Sequence, residues 1–169
     1  MVELPEEKNF IREVGMPDLI KGCIAIEKTA ASIYGTFMQL FPKEKNFWED
    51  LFNDEIDHAS FLTDVDSVGI FDELRATVLP LPVQLVEKTF KFAGNMNREI
   101  NLNPVSFENA LKMALKLEET MVEIFTNKAI ASLLFSEDKP FAEKILLSER
   151  LHVDKIKDMM IKKGFLKLS

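Results

Sequence analysis

The positions of proline constrain this chain more than any other feature of its sequence. Its 169 residues include only seven prolines and six glycines, and the long segments between the prolines carry apolar residues with helical periodicity. Proline starts or ends helices because it lacks a backbone donor and clashes with the preceding turn. The sequence therefore predicts an all-α fold of long helices joined by short turns.

Four long helices are predicted, and proline or a capping residue marks most of their ends. Pro42 separates the first two helices, and Ser106 is a suitable N-cap for the third. Pro140 falls near the first turn of the fourth, where its fixed φ is tolerated. The four helices are predicted at about 17–41, 43–67, 106–134 and 138–164.

The segment between the second and third helices is less regular. Residues 70–104 hold three prolines and one glycine, which enclose a predicted short helix at 83–96. A connection of this length suits a crossover in a four-helix bundle. The whole chain, residues 1–169, is the size of one domain, so one function is sought in one core.

Net charge and cysteine content exclude several classes of function. The 21 basic and 28 acidic side chains give a formal charge of −7, the wrong sign for binding nucleic acid or anionic lipid. The N-terminal residues do not resemble a secretory signal, and no apolar run is long enough to cross a membrane. With Cys23 as the only cysteine there is no internal disulfide and no cysteine-ligated metal site. We therefore expect a soluble cytoplasmic protein with neither a nucleic-acid nor a membrane partner.

The two histidines of the chain share one local pattern. His58 and His152 each stand three residues after a glutamate, Glu55 and Glu149. Residues three, four and seven apart share a helix face, and the faces of both glutamates are otherwise apolar. Each Glu-x-x-His pair is therefore expected to point into the core.

The first and third helices each offer one further inward glutamate. Glu27 shares its face with isoleucine, alanine and Tyr34, and Glu118 shares its face with leucine, alanine and Phe125. The adjacent Glu119 instead shares its face with lysine and glutamate, so Glu118 is predicted to point inward and Glu119 outward. Residues 26–34 also align with 117–125, which indicates a repeated helical hairpin.

Four inward carboxylates require a compensating positive charge. An unpaired buried charge costs several kcal/mol, and no lysine or arginine occupies the same faces. Four carboxylates and two imidazoles form an oxygen-rich donor set that suits iron or manganese. Two divalent cations would neutralise the four carboxylates completely. The predicted metal ligands are Glu27, Glu55, His58, Glu118, Glu149 and His152.

This ligand pattern resembles that of the ferritin-like superfamily, and most of all its rubrerythrin-like branch. One glutamate from each of two helices and a Glu-x-x-His from each of the other two is the ligand set of ferritin-like di-iron and di-manganese proteins. The spacing of Glu27 and Tyr34 and the run from Glu55 to Ala59 add to the likeness, which covers about residues 18–162. It implies a ferritin-like four-helix bundle in which Glu55 and Glu149 bridge two metal ions.

The resemblance also implies an activity. A rubrerythrin-like protein would be a di-iron oxidoreductase that reduces hydrogen peroxide or dioxygen, with two iron ions, or manganese or zinc in their place. Because one cysteine cannot build a rubredoxin site, electrons would come from an external donor such as a rubredoxin-type protein. The long crossover favours a small oligomer, a homodimer. Tyr34 would hydrogen-bond a ligand carboxylate or donate an electron.

Two alternatives remain open on the same six ligands. One is a ferroxidase that stores or handles iron in a ferritin-type shell, and the other is a di-iron hydroxylase or a di-manganese catalase.

Peroxidase members of the family carry an additional glutamate one turn from the first on the third helix. This chain has Leu115 and Met121 at the positions three residues from Glu118.

Four further side chains are candidates to orient the imidazoles from outside the ligand set. Metal-bound histidine usually donates its second ring nitrogen to a carboxylate, a carbonyl or a hydroxyl. Near the predicted ligands, Thr29, Thr120, Asp57 and Asp154 could accept such a bond, although a solvated helix surface is their ordinary role. Cys23, one turn before Glu27, is expected to be a small buried apolar side chain.

Overall fold

The computed structural model describes residues 16–67, 82–137 and 139–167. Within these ranges the regular structure is helical and includes no strand, which confirms the all-α prediction. The N-terminal residues, the predicted end of the second helix near Gly69, the first part of the crossover and Asp138 lie outside the described residues. The described helices are α1 (Met16–Leu40), α2 (Lys45–Ser67), α3 (Val83–Leu102), α4 (Phe107–Phe125), α5 (Lys128–Glu137) and α6 (Lys139–Lys162).

Helix ends in the structure follow the local chemistry of the sequence. Pro42 opens a single 3-10 turn, Pro42–Glu44, between α1 and α2. The Ser106 side chain accepts a hydrogen bond from the Asn109 backbone at 3.1 Å, which confirms the predicted N-cap of α4. Gly164 follows α6 with φ +76°, and the amide of Phe165 donates to the carbonyl of Met160 at 2.8 Å. This is a Schellman end, in which glycine takes the left-handed position.

Two predicted helix bounds were wrong. The short helix expected at 83–96 continues to Leu102, because its inner face stays apolar through Ile100. The third helix, expected to reach residue 134, instead ends at Phe125, and α5 follows as a separate helix. The Thr126 hydroxyl donates to the Val122 carbonyl at 2.8 Å. The Thr126 amide still bonds the same carbonyl at 2.9 Å, but the Asn127 amide bonds Ile124, three residues back, at 3.0 Å, so the α-helical hydrogen-bond pattern stops there.

The described helices pack around one hydrophobic core. α1 packs against α2 and α3, α4 packs against α6, and α2 also contacts α6. Gly22 permits the approach of α3, since a Cβ at that position would lie 2.7 Å from Val86. Tyr34, Phe37 and Trp48 are fully buried in the core between these helices.

None of the described helices is both long enough and apolar enough to cross a bilayer.

Candidate metal centre

Four helices deliver the six predicted ligands to one buried region. α1 carries Glu27, α4 carries Glu118, and α2 and α6 each carry a Glu-x-x-His pair. The four glutamates and His152 have an exposed fraction of 0%, and His58 has 4%. Side chains this polar are almost never fully buried unless they are paired or bind an ion.

The first cluster forms around His58 and is called the His58 group. Its members are Glu27, Glu55, His58 and Glu149. The Nδ1 atom of His58 lies 2.9 Å from Glu149 Oε1, 3.3 Å from Glu55 Oε2 and 3.7 Å from Glu27 Oε2. One donor atom from each residue lies within 4.8 Å of all the others, so the group could hold a metal ion.

The second cluster, called the His152 group, contains Glu55, Glu118 and His152. The Nδ1 atom of His152 lies 3.1 Å from Glu55 Oε1 and 3.2 Å from Glu118 Oε2. Glu55 therefore belongs to both groups and presents a different oxygen to each histidine. A carboxylate in this position can bridge two ions. Glu149, in contrast, belongs to the His58 group alone.

Several of these atoms lack a hydrogen-bond partner of suitable direction. Among the described residues, this is true of both oxygens of Glu27, Glu55 and Glu149, and of His58 Nδ1. Within the same part of the chain, no lysine or arginine forms an ion pair with a buried glutamate. Orphaned buried acceptors are rare and costly in folded proteins. Donor atoms that converge without bonding one another fit a bound cation, so the residues present suit a metal.

The pKa values of the buried glutamates and histidines are shifted by burial and by the charges around them. Burial, together with the charges of Glu55 and Glu149, raises the pKa of Glu27 well above its ordinary value. Burial and Glu55 raise the pKa of Glu118 to about 8. Burial also acts to raise the pKa of Glu55, but Glu27 and the two imidazoles outweigh it and hold the pKa low. Burial lowers the pKa of each histidine, but the neighbouring carboxylates raise it by more. Divalent cations would take over the role of these protons.

Tyr34 hydrogen-bonds directly to one of the candidate ligands. It is fully buried, and its hydroxyl donates to Glu118 Oε1. Burial and the charge of Glu118 raise the pKa of the Tyr34 phenol, which favours the protonated donor. The aligned position of the internal repeat is Phe125, which has no hydroxyl. The two copies of the repeat therefore differ here, because only the first supplies a hydroxyl donor at this position.

Asp54 is a further residue of the site that the sequence analysis missed. Its Oδ2 lies 3.0 Å from His152 Nε2 and 3.8 Å from Lys155 Nζ. The hydrogen bond with His152 holds the pKa of Asp54 below its ordinary value. If Nε2 carries the proton, Nδ1 keeps a free lone pair directed at the His152 group. The Ser148 hydroxyl lies 3.3 Å from the same nitrogen.

The four candidates for orienting the imidazoles have their ordinary helix-surface roles instead. Thr29 and Thr120 donate to carbonyls of their own helices, both at 2.7 Å, and Asp57 and Asp154 are exposed. Asp54 directly precedes Glu55 on α2, but its partner, His152, lies on α6. Helical periodicity relates residues within one helix, so it does not predict this pairing. Cys23 is buried as expected, and burial with the nearby Glu27 raises its thiol pKa.

Adjacent glutamates on α4 provide a matched test of the site. Glu118 is fully buried and Glu119 is exposed, as helical spacing predicts. The Oε1 atom of Glu119 lies 3.9 Å from Lys157 Nζ. We expect Glu118→Ala to lose at least one metal ion per chain, because it removes a donor from the His152 group. Glu119→Ala should load normally. Metal content measured by mass spectrometry after dialysis checks both, and equal loss in the two variants would contradict the assignment.

Asp54 allows a second matched comparison. Asp54→Asn should weaken binding of Mn²⁺ by about 10- to 100-fold, the usual effect of losing an outer partner of a ligand histidine. Asp57→Asn, an exposed change on the same helix, should bind Mn²⁺ as the unmodified protein does. Isothermal titration measures both affinities. Unchanged affinity in Asp54→Asn would show that the hydrogen bond does not orient His152.

Comparison with known proteins identified no relatives. No protein-family model matches the chain, and neither a curated protein nor a solved structure does.

Proposed function

We propose that this protein is a ferritin-like, rubrerythrin-like di-iron oxidoreductase that reduces hydrogen peroxide or dioxygen. One observation carries the proposal: six buried donors from four helices form two groups that share Glu55. In this proposal α1, α2, α4 and α6 are the four helices of a bundle, and α3 belongs to its crossover. The pairing of α1 with α2 and of α4 with α6 supports that architecture.

The donor set supports iron as the metal. Carboxylate and imidazole together suit iron and manganese, and thiolate is absent from both described groups. Two divalent cations would balance the four carboxylates. When bound, two ferrous ions supply one electron each, so an O–O bond can accept a pair.

Some residues of the protein would hold the ions, and others would orient the ligands. Glu55 would hold both ions, and the other ligands would complete one group or the other. Tyr34 fixes the orientation of Glu118, and Asp54 fixes that of His152. The His152 group offers three donors rather than four, which leaves coordination positions for a small oxidant. Leu115 and Met121, beside Glu118, supply no further donor.

The electrons for turnover would come from outside the chain. Cys23 is buried and is the only cysteine, so no thiolate-bound iron can relay them. We propose an external donor of the rubredoxin type and a homodimer as the working assembly.

Metal loading followed by rapid mixing tests the proposal. Protein purified without chelator is analysed for metal, loaded anaerobically with Fe(II), and mixed with hydrogen peroxide or dioxygen in a stopped-flow instrument. About two irons per chain and faster reaction with peroxide would support the rubrerythrin-like function. Faster dioxygen consumption in a large shell, seen by sedimentation, would favour iron storage instead. A protein that takes up no metal under any loading would refute both.

A further inference from the structure

One depression in the surface is lined by lysine, although the chain as a whole is acidic. It lies between the start of α2 and the end of α6, has a volume of about 420 Å³, and is called the lysine-lined depression. The formal charge of the chain is −7, whereas the depression holds four lysines and a single glutamate. The lysines are Lys43, Lys45, Lys162 and Lys163.

Two of these lysines stand where helix electrostatics disfavour them. Lys43 lies in the 3-10 turn before α2, and Lys45 is the first residue of α2. The amino end of a helix carries a positive partial charge, so acidic side chains stabilise it and basic ones do not. The first turn of α2 has no acidic residue to offset them. Lys162 and Lys163, at the carboxyl end of α6, have the favourable orientation, so helix stability accounts only for the second pair.

Three of the four ammonium groups are available to a partner. Lys163 is held within the chain, 2.6 Å from Glu44. Lys43 and Lys162 are exposed, and neither forms an ion pair with another described residue. Lys45 meets one exposed carboxylate at 4.0 Å, a surface contact that contributes little. The depression therefore presents positive charge that the chain itself does not neutralise.

The depression combines this charge with apolar surface. Phe47 and Met159 also line it, and both are half-buried. Apolar surface within a charged rim is typical of protein interfaces, and short-lived electron-transfer complexes use the smallest of them. The outer side of α2 is instead acidic, with exposed Asp50, Asp57 and Asp64. An acidic partner is therefore attracted to the depression and repelled from the adjacent side of the helix.

We propose that the lysine-lined depression is the docking surface for an acidic one-electron carrier protein, the external donor of the di-iron reaction. The inference rests on the proposed function, which needs an electron source outside the chain. Lys45 stands ten residues before Glu55 on α2, and Lys162 stands ten residues after His152 on α6. At 1.5 Å per residue, each helix spans about 15 Å between the depression and the candidate ligands. A docked donor is thus joined to the centre by two continuous helices over a short distance.

Each docking event delivers one electron to the centre. Reduction of one hydrogen peroxide to two waters takes two electrons, and the two protons come from the solvent. Two reduced carriers must therefore dock in turn, and each leaves in its oxidised form. A small interface suits this exchange, because the spent carrier has to leave before the next one arrives.

Charge reversal at the start of α2 tests the docking surface. The probe is a rubredoxin of net negative charge, and isothermal titration at low ionic strength measures its affinity for the iron-loaded protein. Lys43→Glu with Lys45→Glu should weaken binding at least about tenfold, and added salt should weaken binding to the unmodified protein. Because acidic side chains suit this end of a helix, the Tm of the double variant should not fall. Lost binding with an unchanged Tm then reports on the surface and not on folding.

A matched variant far from the depression supplies the control. Lys21→Glu with Lys88→Glu makes the same change in net charge on exposed residues of α1 and α3. α3 approaches α1 at Gly22, about 30 Å along α1 from the turn that follows it. The control should bind rubredoxin within about twofold of the unmodified protein. Equal weakening in the two double variants would reflect net charge alone and would overturn the proposal.

Metal loading distinguishes the docking surface from the di-iron function. If the chain binds no metal, that function fails, and rubredoxin binding still decides whether the depression is a docking surface. If Lys43→Glu with Lys45→Glu keeps two irons and consumes peroxide in a single turnover at the unmodified rate, the di-iron function stands. Its reduction by rubredoxin in a stopped-flow instrument should then be at least about tenfold slower. An unmodified rate of reduction would overturn the docking surface alone.

Discussion

Replacing Glu55 with alanine should abolish tight metal binding at both positions of the centre. Glu55 is the residue that the two groups share, and it presents one oxygen to each histidine. Because loss of an outer-shell partner already costs about 10- to 100-fold in affinity, loss of this ligand should exceed about 100-fold at each position. Titration with Mn²⁺ or Co²⁺ followed by metal analysis measures the effect.

Single-group variants make the comparison specific. Glu27→Ala should disturb only the His58 group, so one ion per chain should remain tightly bound. Glu49→Ala, on the same helix as Glu55 but at the surface beside Lys45, should retain both ions. A Glu55→Ala protein that still held one ion with unmodified affinity would show that Glu55 is not shared.

For the metal-free protein, the free energy of unfolding should decrease as the pH rises from about 5 to 8. The pKa of Glu118 is raised from 4.5 to about 8, and those of Glu27, Glu149 and both histidines are also raised. The native chain then binds more protons than the unfolded chain, so stability is lost as the pH approaches the folded-state pKa values. A loss of a few kcal/mol corresponds to a fall in Tm of about 5–10 °C.

Bound metal should reverse this trend. The ligands must lose their protons to bind an ion, so affinity and the stability gained from it increase with pH. Thermal unfolding at pH 5.5 and pH 8, with chelator or with Mn²⁺, measures both effects. A metal-induced rise in Tm that is larger at pH 5.5 than at pH 8 would contradict the proton linkage.

Helical periodicity was sufficient to predict the all-α class, the helix that carries each site residue and the inward direction of those residues. Both depend on neighbours within three or four positions, as the burial of Glu118 beside exposed Glu119 illustrates. The break after Phe125 was missed because the apolar pattern continues through it into α5. The helix ends there on a backbone bond from Asn127 to Ile124, without a proline or glycine to signal it.

Contacts between helices were harder to predict. The hydrogen bond from His152 to Asp54 joins α6 to α2, and its existence depends on the rotation and height of both helices. The same is true of the bond from Tyr34 to Glu118, which joins α1 to α4. The sequence supplied the donor types, whereas the partners followed only from the packed structure.

The spread of the ligands along the chain has a consequence for the order of events during synthesis. The His58 group takes Glu27 from α1 and Glu149 from α6, so α1 leaves the ribosome long before the helix that completes its group. A nascent chain that lacks α6 has neither complete group. Neither group can therefore offer a metal ion its full donor set until α6 has been made, so tight binding would have to follow synthesis of that helix.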